Sequence, residues 1–348
     1  MNFVFTADIH MSNSLPFSKV LENGYTDRIL EQRKVWEELY KIIKNKKAKA
    51  LFILGDLFDR SKVDPITLKE TVKQIVKSSV KTFILPGNHD ASGDKFIVEA
   101  FGEIGNKRIK LIGNGDKPIK YGNIYFHSVS YRSIEDTEKA IKKIRLKKSG
   151  KNILLLHTSI VGAEYCGCAC GDGVKQKFLK RFDFVLSGHF HNTHKFSDNG
   201  LYVGTPFRTS YGEKDFSTGV WNIDFDKDKF EYVEIDCPNF YTFDLDKIDD
   251  SKLKKNDFVR INVKCKTYEF ASKENEVKNL ISKYIENGIR AEYKHIPTTE
   301  TDNRLGIDLS KKLNYSSIIK KYVELNNTGI NSKLLINYGK KIIKEAKK

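Results

Sequence analysis

The sequence predicts an α/β fold in which helices flank a buried sheet, followed by a smaller α/β unit and terminal helices. Three observations predict it. Five apolar runs rich in Phe, Val, Ile and Leu have the unbroken character of strands buried on both faces. Segments with apolar residues at helical spacing lie between the early runs. Each run also leads into Asp, Asn or His, and five of the eight histidines in the chain sit at such ends.

In order, "NFVFTADIH" leads into Asp8 and His10, and "ALFILGDLFDR" into Asp56. "KTFILPGNHD" leads into Asn88, His89 and Asp90, "KNILLLHTS" into His157, and "FDFVLSGHFH" into His189 and His191. In sheets covered by helices, ligand sites collect where strands give way to loops, so these ends describe one convergent site. The first helical segment, "TDRILEQRKVWEELYKIIKNKK", puts Ile29, Trp36, Leu39, Tyr40 and Ile43 on one face, with Thr26 or Asp27 as N-cap. The second, "DPITLKETVKQIVKSS", has Pro65 in its first turn and Leu68, Val72, Ile75 and Val76 at helical spacing. After about residue 195 the pattern becomes short strands and turns, with "DKDK" as a hairpin turn.

The texture changes again near residue 240. Three divisions are expected: 1–240, 241–300 as a small strand–helix–strand unit, and 301–348 as a linker with amphipathic helices. In the last of these, Tyr315, Ile318, Ile319, Tyr322 and Val323 share one face, as do Leu334, Leu335, Tyr338, Ile342 and Ile343.

Composition bounds the rest. Hydrophobic residues make up 39% of the chain, enough for packed cores, which excludes wholesale disorder. No stretch reaches the ~20 apolar residues that span a bilayer, and "MNFVFTADIH" lacks the features of a signal peptide. A soluble cytoplasmic protein without membrane partners is expected. Five cysteines, an odd number, argue against a disulfide framework. Cys166, Cys168 and Cys170 in "YCGCACGDG" are spaced too tightly for ordinary structural zinc, and read as a small-residue loop. The formal net charge of +16 attracts polyanions, although Lys-rich codon usage alone produces such a balance. Residues 241–348 carry 20 Lys and 3 Arg against 15 acidic groups, so half of that charge lies in this last stretch.

Asp8, His10, Asp56, Asn88, His157, His189 and His191 are too many donors for one metal and suit two ions sharing a bridge, for which Asp56 is the natural carboxylate. Imidazole plus carboxylate without thiolate suits Mn²⁺, Fe²⁺ or Zn²⁺ rather than Ca²⁺. His89, beside Asn88, is placed to donate a proton, with Asp90 able to orient its ring. His127, His194 and His295 read as core, bystander and linker-proximal histidines. Arg60, Arg208 and Tyr211 follow motif blocks and are candidates for phosphate or sugar contact, with ordinary surface charge as the bland alternative.

Together, D-x-H at Asp8–His10, G-D-x-x-D-R at Gly55–Arg60, G-N-H-D at Gly87–Asp90, the strand-end His157 and G-H-x-H at Gly188–His191 resemble the calcineurin-like metallophosphoesterases. Within them the chain is similar to the SbcD branch of DNA-repair nuclease subunits, bacterial or from tailed phages, with "YVGTP" and "HTSIVGA" as supporting stretches. The resemblance implies a β-sandwich flanked by helices, a small DNA-capping domain, and two divalent ions, Mn²⁺ first with Mg²⁺ as a further option. It implies one ion on Asp8, His10, Asp56 and His191, the other on Asp56, Asn88, His157 and His189, and His89 as the catalytic histidine backed by Asp90. DNA as substrate, an SMC-like ATPase (SbcC-like) docked on the C-terminal helices, a homodimer, and a bacterial or phage-infected cytoplasm complete what it implies. The alternative is a metallophosphoesterase acting on a small phosphodiester or a phosphoprotein. Ser61 after Arg60, and Asp90 rather than Glu in the third block, lower the phosphoprotein option.

Overall fold

The structure, a computed structural model, describes residues 1–298 apart from 116, 166 and 268, together with 318–320, 322–323 and 332–346. The chain divides into two compact units, Met1–Tyr241 and Thr242–Lys348.

The first unit is built on two six-stranded sheets. One contains β1 (Asn2–Thr6), β2 (Ala50–Leu54), β3 (Lys81–Leu85) and β4 (Ile109–Leu111), all parallel. The other contains β5 (Ile119–Tyr121), β6 (Ile124–Val129), β7 (Lys151–His157), β8 (Phe184–Gly188), β9 (His194–Ser197) and β10 (Gly200–Tyr202). In this second sheet β6, β7, β8 and β10 run parallel. The hairpin β11 (Gly219–Asp224) and β12 (Lys229–Glu234) then returns antiparallel to β1, turning at "DKDK", and completes the first sheet. The five apolar runs therefore divide three to two between sheets, which their common composition does not reveal.

Alternation along the strands explains the unbroken runs. Phe3 and Phe5 of β1, Phe52 and Leu54 of β2, and Phe83 and Leu85 of β3 point into the layer between the sheets, where they meet Phe126, Ile153, Leu155 and Leu186. Val4, Leu51, Ile53 and Ile84 point the other way, onto α1 (Asp27–Asn45) and its Ile29, Trp36, Leu39 and Ile43. Leu154, Leu156 and Val185 line the opposite outer layer with Ile141 and Phe182. Phe5 stacks on Phe52 at 5.0 Å and Phe52 on Phe83 at 4.8 Å. A buried phenylalanine of this kind contributes about 3–5 kcal/mol relative to alanine.

Thr26, not Asp27, caps α1, its side chain accepting from the Ile29 N–H. Helix α2 (Pro65–Val76), capped by Asp64, turns its expected apolar residues Leu68, Val72 and Ile75 to the core but adds buried polar ones. It buries Glu70 and Gln74 because Arg33 of α1 grips Glu70 through two bonds of 2.7 and 2.8 Å. Leu68 and Val72 are only partly buried.

In the second unit β13 (Phe258–Cys265) pairs in parallel with β14 (Arg290–Pro297) through the crossover helix α3 (Phe270–Glu286). The terminal helix α4 (Ser332–Ala346) carries Leu334, Tyr338 and Ile342 exposed along its surface. The expected linker, Tyr315 and most of the segment around it lie outside the described residues; Ile318–Lys320 and Tyr322–Val323 are helical. Among the described residues no helix is long and apolar enough to cross a membrane.

Candidate metal centre

Strands β1, β2, β3, β7 and β8 all end at one rim of the first unit, and the loops leaving them carry the donor groups. Asp8, His10, Asp56 and His189 have positive φ of 52°, 50°, 49° and 96°. Non-glycine residues rarely adopt this conformation, and it costs about 1–3 kcal/mol where the surroundings enforce it. The enforcing contacts are visible. The Asp8 N–H donates to the Gly55 carbonyl and the His10 N–H to that of Asp56, both at 3.0 Å. Gln32, buried on α1, donates to the carbonyls of Ile9 and His10. Close approach demands glycine at two positions: a Cβ on Gly55 would fall within the His157 ring, and one on Gly87 would collide with Asp56.

Two donor groupings result. His10 Nε2 and His191 Nε2 face each other at 3.1 Å, with Asp8 Oδ1 at 4.0 Å from the latter. Asn88 Oδ1 lies 2.9 Å from His157 Nε2 and 3.0 Å from His189 Nδ1. Asp56 stands between the groupings, its Oδ2 at 3.2 Å from His157 Nε2 and 3.9 Å from His10 Nε2. Its Oδ1 accepts the His89 backbone N–H at 2.8 Å. Asp8 is within reach of Asp56 and His157 as well as of His10 and His191.

These separations test the fit to cations. Donors bound at ~2.0–2.2 Å stand about 3.0–3.6 Å from one another around a tetrahedral or octahedral ion. The observed spacings of 2.9–4.0 Å bracket that range. His10 Nδ1 is buried without a hydrogen-bond partner, and the donors are all oxygen or nitrogen. The residues fit divalent ions.

Outer contacts fix which ring nitrogen points inward. His157 Nδ1 donates to the Leu54 carbonyl at 2.7 Å, leaving Nε2 toward Asp56 and Asn88. His191 Nδ1 donates to Glu213 Oε1 at 2.6 Å, and Glu213 also accepts from the Thr209 N–H and hydroxyl. A carboxylate behind a metal-facing histidine sets its tautomer and raises its basicity. No spacing rule in the sequence points to Glu213 or Gln32, which reach the site from a loop and a helix. Glu213→Gln is expected to weaken Mn²⁺ binding about 10–100-fold, read by calorimetric titration, with the melting temperature little changed. An unaltered affinity would show that Glu213 only fills space.

Crowding of charge shifts the ionisation of these groups. Burial pushes the Asp8 carboxyl up to about 6 despite the pull of His157 and His191. Burial opposes the charged forms of Asp56 and His157, but their mutual contact outweighs it, holding Asp56 well below the usual carboxylate range and raising His157 to about 9. His191 is likewise raised to about 9, Glu213 overcoming burial. Burial takes His189 down to about 4, with the charge on His157 adding to it. A divalent cation held by these residues would relieve both tendencies, neutralising the carboxylates and taking the place of protons on the imidazoles.

Asp90 differs from expectation. It is fully buried and accepts the backbone N–H groups of Gly87 and Phe58 at 2.9 and 3.0 Å, with that of Leu57 at 3.4 Å. It thus ties the β2 and β3 loops together and does not back the His89 ring. That ring is exposed, and its Nδ1 donates to the Asp59 carbonyl at 2.6 Å. Burial, with the charge on Asp56 adding, raises the Asp90 carboxyl to about 7. Arg208 and Tyr211 are engaged within the fold: Arg208 donates to the Phe216 carbonyl, and Tyr211 packs on Phe17 and Phe240. Arg60 pairs with Asp59 at 3.0 Å. His127 is buried against Asn152, and His194 stacks on Tyr202 at 5.1 Å, outside both groupings. Cys168 and Cys170 are free thiols; Cys166 lies outside the described residues.

Exonuclease subunit 1 of Enterobacteria phage T4 is 23% identical over 190 residues, covering 51% of this chain and 54% of that protein, so the match spans about half of the relative's length. Among solved structures, TT1561 of Thermus thermophilus is 14% identical with a TM-score of 0.45, over 67% of this chain and 98% of that one. A dimetal phosphatase from Danio rerio is 10% identical with a TM-score of 0.36, over 64% and 91%. The family model for calcineurin-like phosphoesterases matches residues 1–193, the stretch that contains all seven candidate donors; with more than half of its length matched, the chain belongs to that family of metal-dependent hydrolases.

Proposed function

We propose that the chain is a nuclease subunit that hydrolyses DNA phosphodiester bonds, as exonuclease and endonuclease, within an SbcCD-like break-processing and recombination complex. The observation that carries this reading is the pair of donor groupings meeting at Asp56. The similarity to an exonuclease subunit and the basic charge support DNA as the substrate. In this reading Asp8, His10, Asp56 and His191 hold one ion and Asp56, Asn88, His157 and His189 the other. The donor set accepts Mn²⁺, Fe²⁺ or Zn²⁺; Mn²⁺ is put first, and Mg²⁺ kept as an alternative, on the family resemblance.

When bound, two such ions acidify water and withdraw charge from a phosphate. The chain's own groups supply the rest. His89, anchored through its N–H to Asp56 and through Nδ1 to the Asp59 carbonyl, is the proton donor to the leaving oxygen in this reading, a role that requires the imidazolium because the Nδ1–H is committed to Asp59. Asp90 keeps the turn that carries His89 fixed to the β2 loop. The neutral Asn88 oxygen leaves positive charge in place for the phosphate. Residues 241–300 are assigned to DNA capping and 301–348 to the SMC-like ATPase, for which exposed Leu334, Tyr338 and Ile342 offer an apolar face. A homodimer is part of the same reading.

The test is digestion of end-labelled duplex and hairpin DNA with Mn²⁺ or chelator at two salt concentrations. Cleavage is expected only with metal and should weaken at the higher salt. DNA left intact with every candidate metal sinks the reading.

A further inference from the structure

Strand β6 ends at the same rim as the five donor-bearing strands, yet it delivers no metal ligand. It pairs in parallel with β7, Val129 opposite Leu156, so Ser130 falls beside His157 and Tyr131 one residue beyond. The backbone there is pinned from both sides. The Tyr131 N–H donates to the carbonyl of Pro86, just before the Asn88–His89 turn, and Arg132 donates to the carbonyls of Gly113 and Ser130. The Tyr131 side chain nevertheless stays 37% exposed, its ring edge-on to His157 with centroids 6.5 Å apart.

A matching ring stands on the other flank. Tyr165, 39% exposed, stacks on Phe190 at 4.7 Å; Phe190 stacks on His189 at 5.4 Å; and His189 meets His157 at 5.4 Å. Tyr131, His157, His189, Phe190 and Tyr165 thus form one continuous row of rings across the Asn88 half of the centre. Among the described residues of Met1–Tyr241, Tyr131 and Tyr165 are the only exposed tyrosines, and they occupy its two ends. A neutral ring at the edge of a phosphate site adds no charge and holds no divalent ion. What it offers is a rigid π face at low conformational cost, the feature on which unpaired bases stack.

We propose that Tyr131 and Tyr165 are stacking platforms for unpaired nucleobases flanking the scissile phosphate, which makes single-stranded or frayed DNA the preferred substrate of this centre. The inference rests on the nuclease reading above. It is tested by steady-state kinetics of Tyr131→Ala, Tyr165→Ala and the two Phe variants on a single-stranded oligonucleotide and on an abasic oligonucleotide of equal length. The Ala variants should raise KM for the base-bearing strand about tenfold with kcat within about twofold, leave the abasic strand unchanged, and be rescued by Phe. Equal losses on both strands, or an unchanged KM on the base-bearing one, overturn the platforms. A wild-type protein that cuts neither strand overturns the nuclease reading itself, and the platforms with it.

Discussion

Asp56→Asn is expected to cost the centre both of its cations and, with them, hydrolysis. The substitution is nearly isosteric, and asparagine keeps an oxygen to accept the His89 N–H, so the local fold should survive. What disappears is the negative charge that lies 3.2 Å from His157 and 3.9 Å from His10, between the two groupings. A residue that only orients a ligand costs about 10–100-fold in metal affinity, and loss of a shared carboxylate should exceed that for each ion. Metal content after dialysis against micromolar Mn²⁺ gives the readout, with circular dichroism as the control. If the variant retains two equivalents, Asp56 is not the bridge.

His89→Gln separates chemistry from metal binding. The His89 ring is exposed and bonded through Nδ1 to a backbone carbonyl, so removing it should leave Mn²⁺ stoichiometry intact while lowering kcat about 10²–10⁴-fold, the usual range for a lost proton donor. His89 also lies within reach of His10 and Asp59, a third grouping of potential donors. A variant that loses one equivalent of metal would reassign His89 as a ligand. One that cleaves DNA at the wild-type rate would remove it from the mechanism.

The gathering of seven polar side chains at one rim is legible in the sequence because they stand where apolar runs stop, and strand ends converge in any covered sheet. The partition of those runs between two sheets is not legible, since pairing depends on long-range register such as Leu156 opposite Ser187. Glu213 is hidden for a related reason: it lies 22 residues beyond His191, in a loop whose own pattern says nothing of the ring it touches. The stripe on α2 does face the core through Ile75, Leu68 and Val72, but it does not reveal that Glu70 is buried beside it, where Arg33 pairs with it and spares the cost of an unpaired charge. Reading Asp90 from its neighbour in sequence fails because its carboxylate serves the backbone of another loop.

Four donor-bearing residues sit in left-handed conformations, held by backbone groups, a helix glutamine and, at His189, the Asp8 carboxylate that accepts its N–H. The cradle is therefore shaped by the polypeptide itself, as a mould is finished before casting. Exchange of one ion for another would then be a local event at the rim, with the layers of phenylalanine beneath left in place.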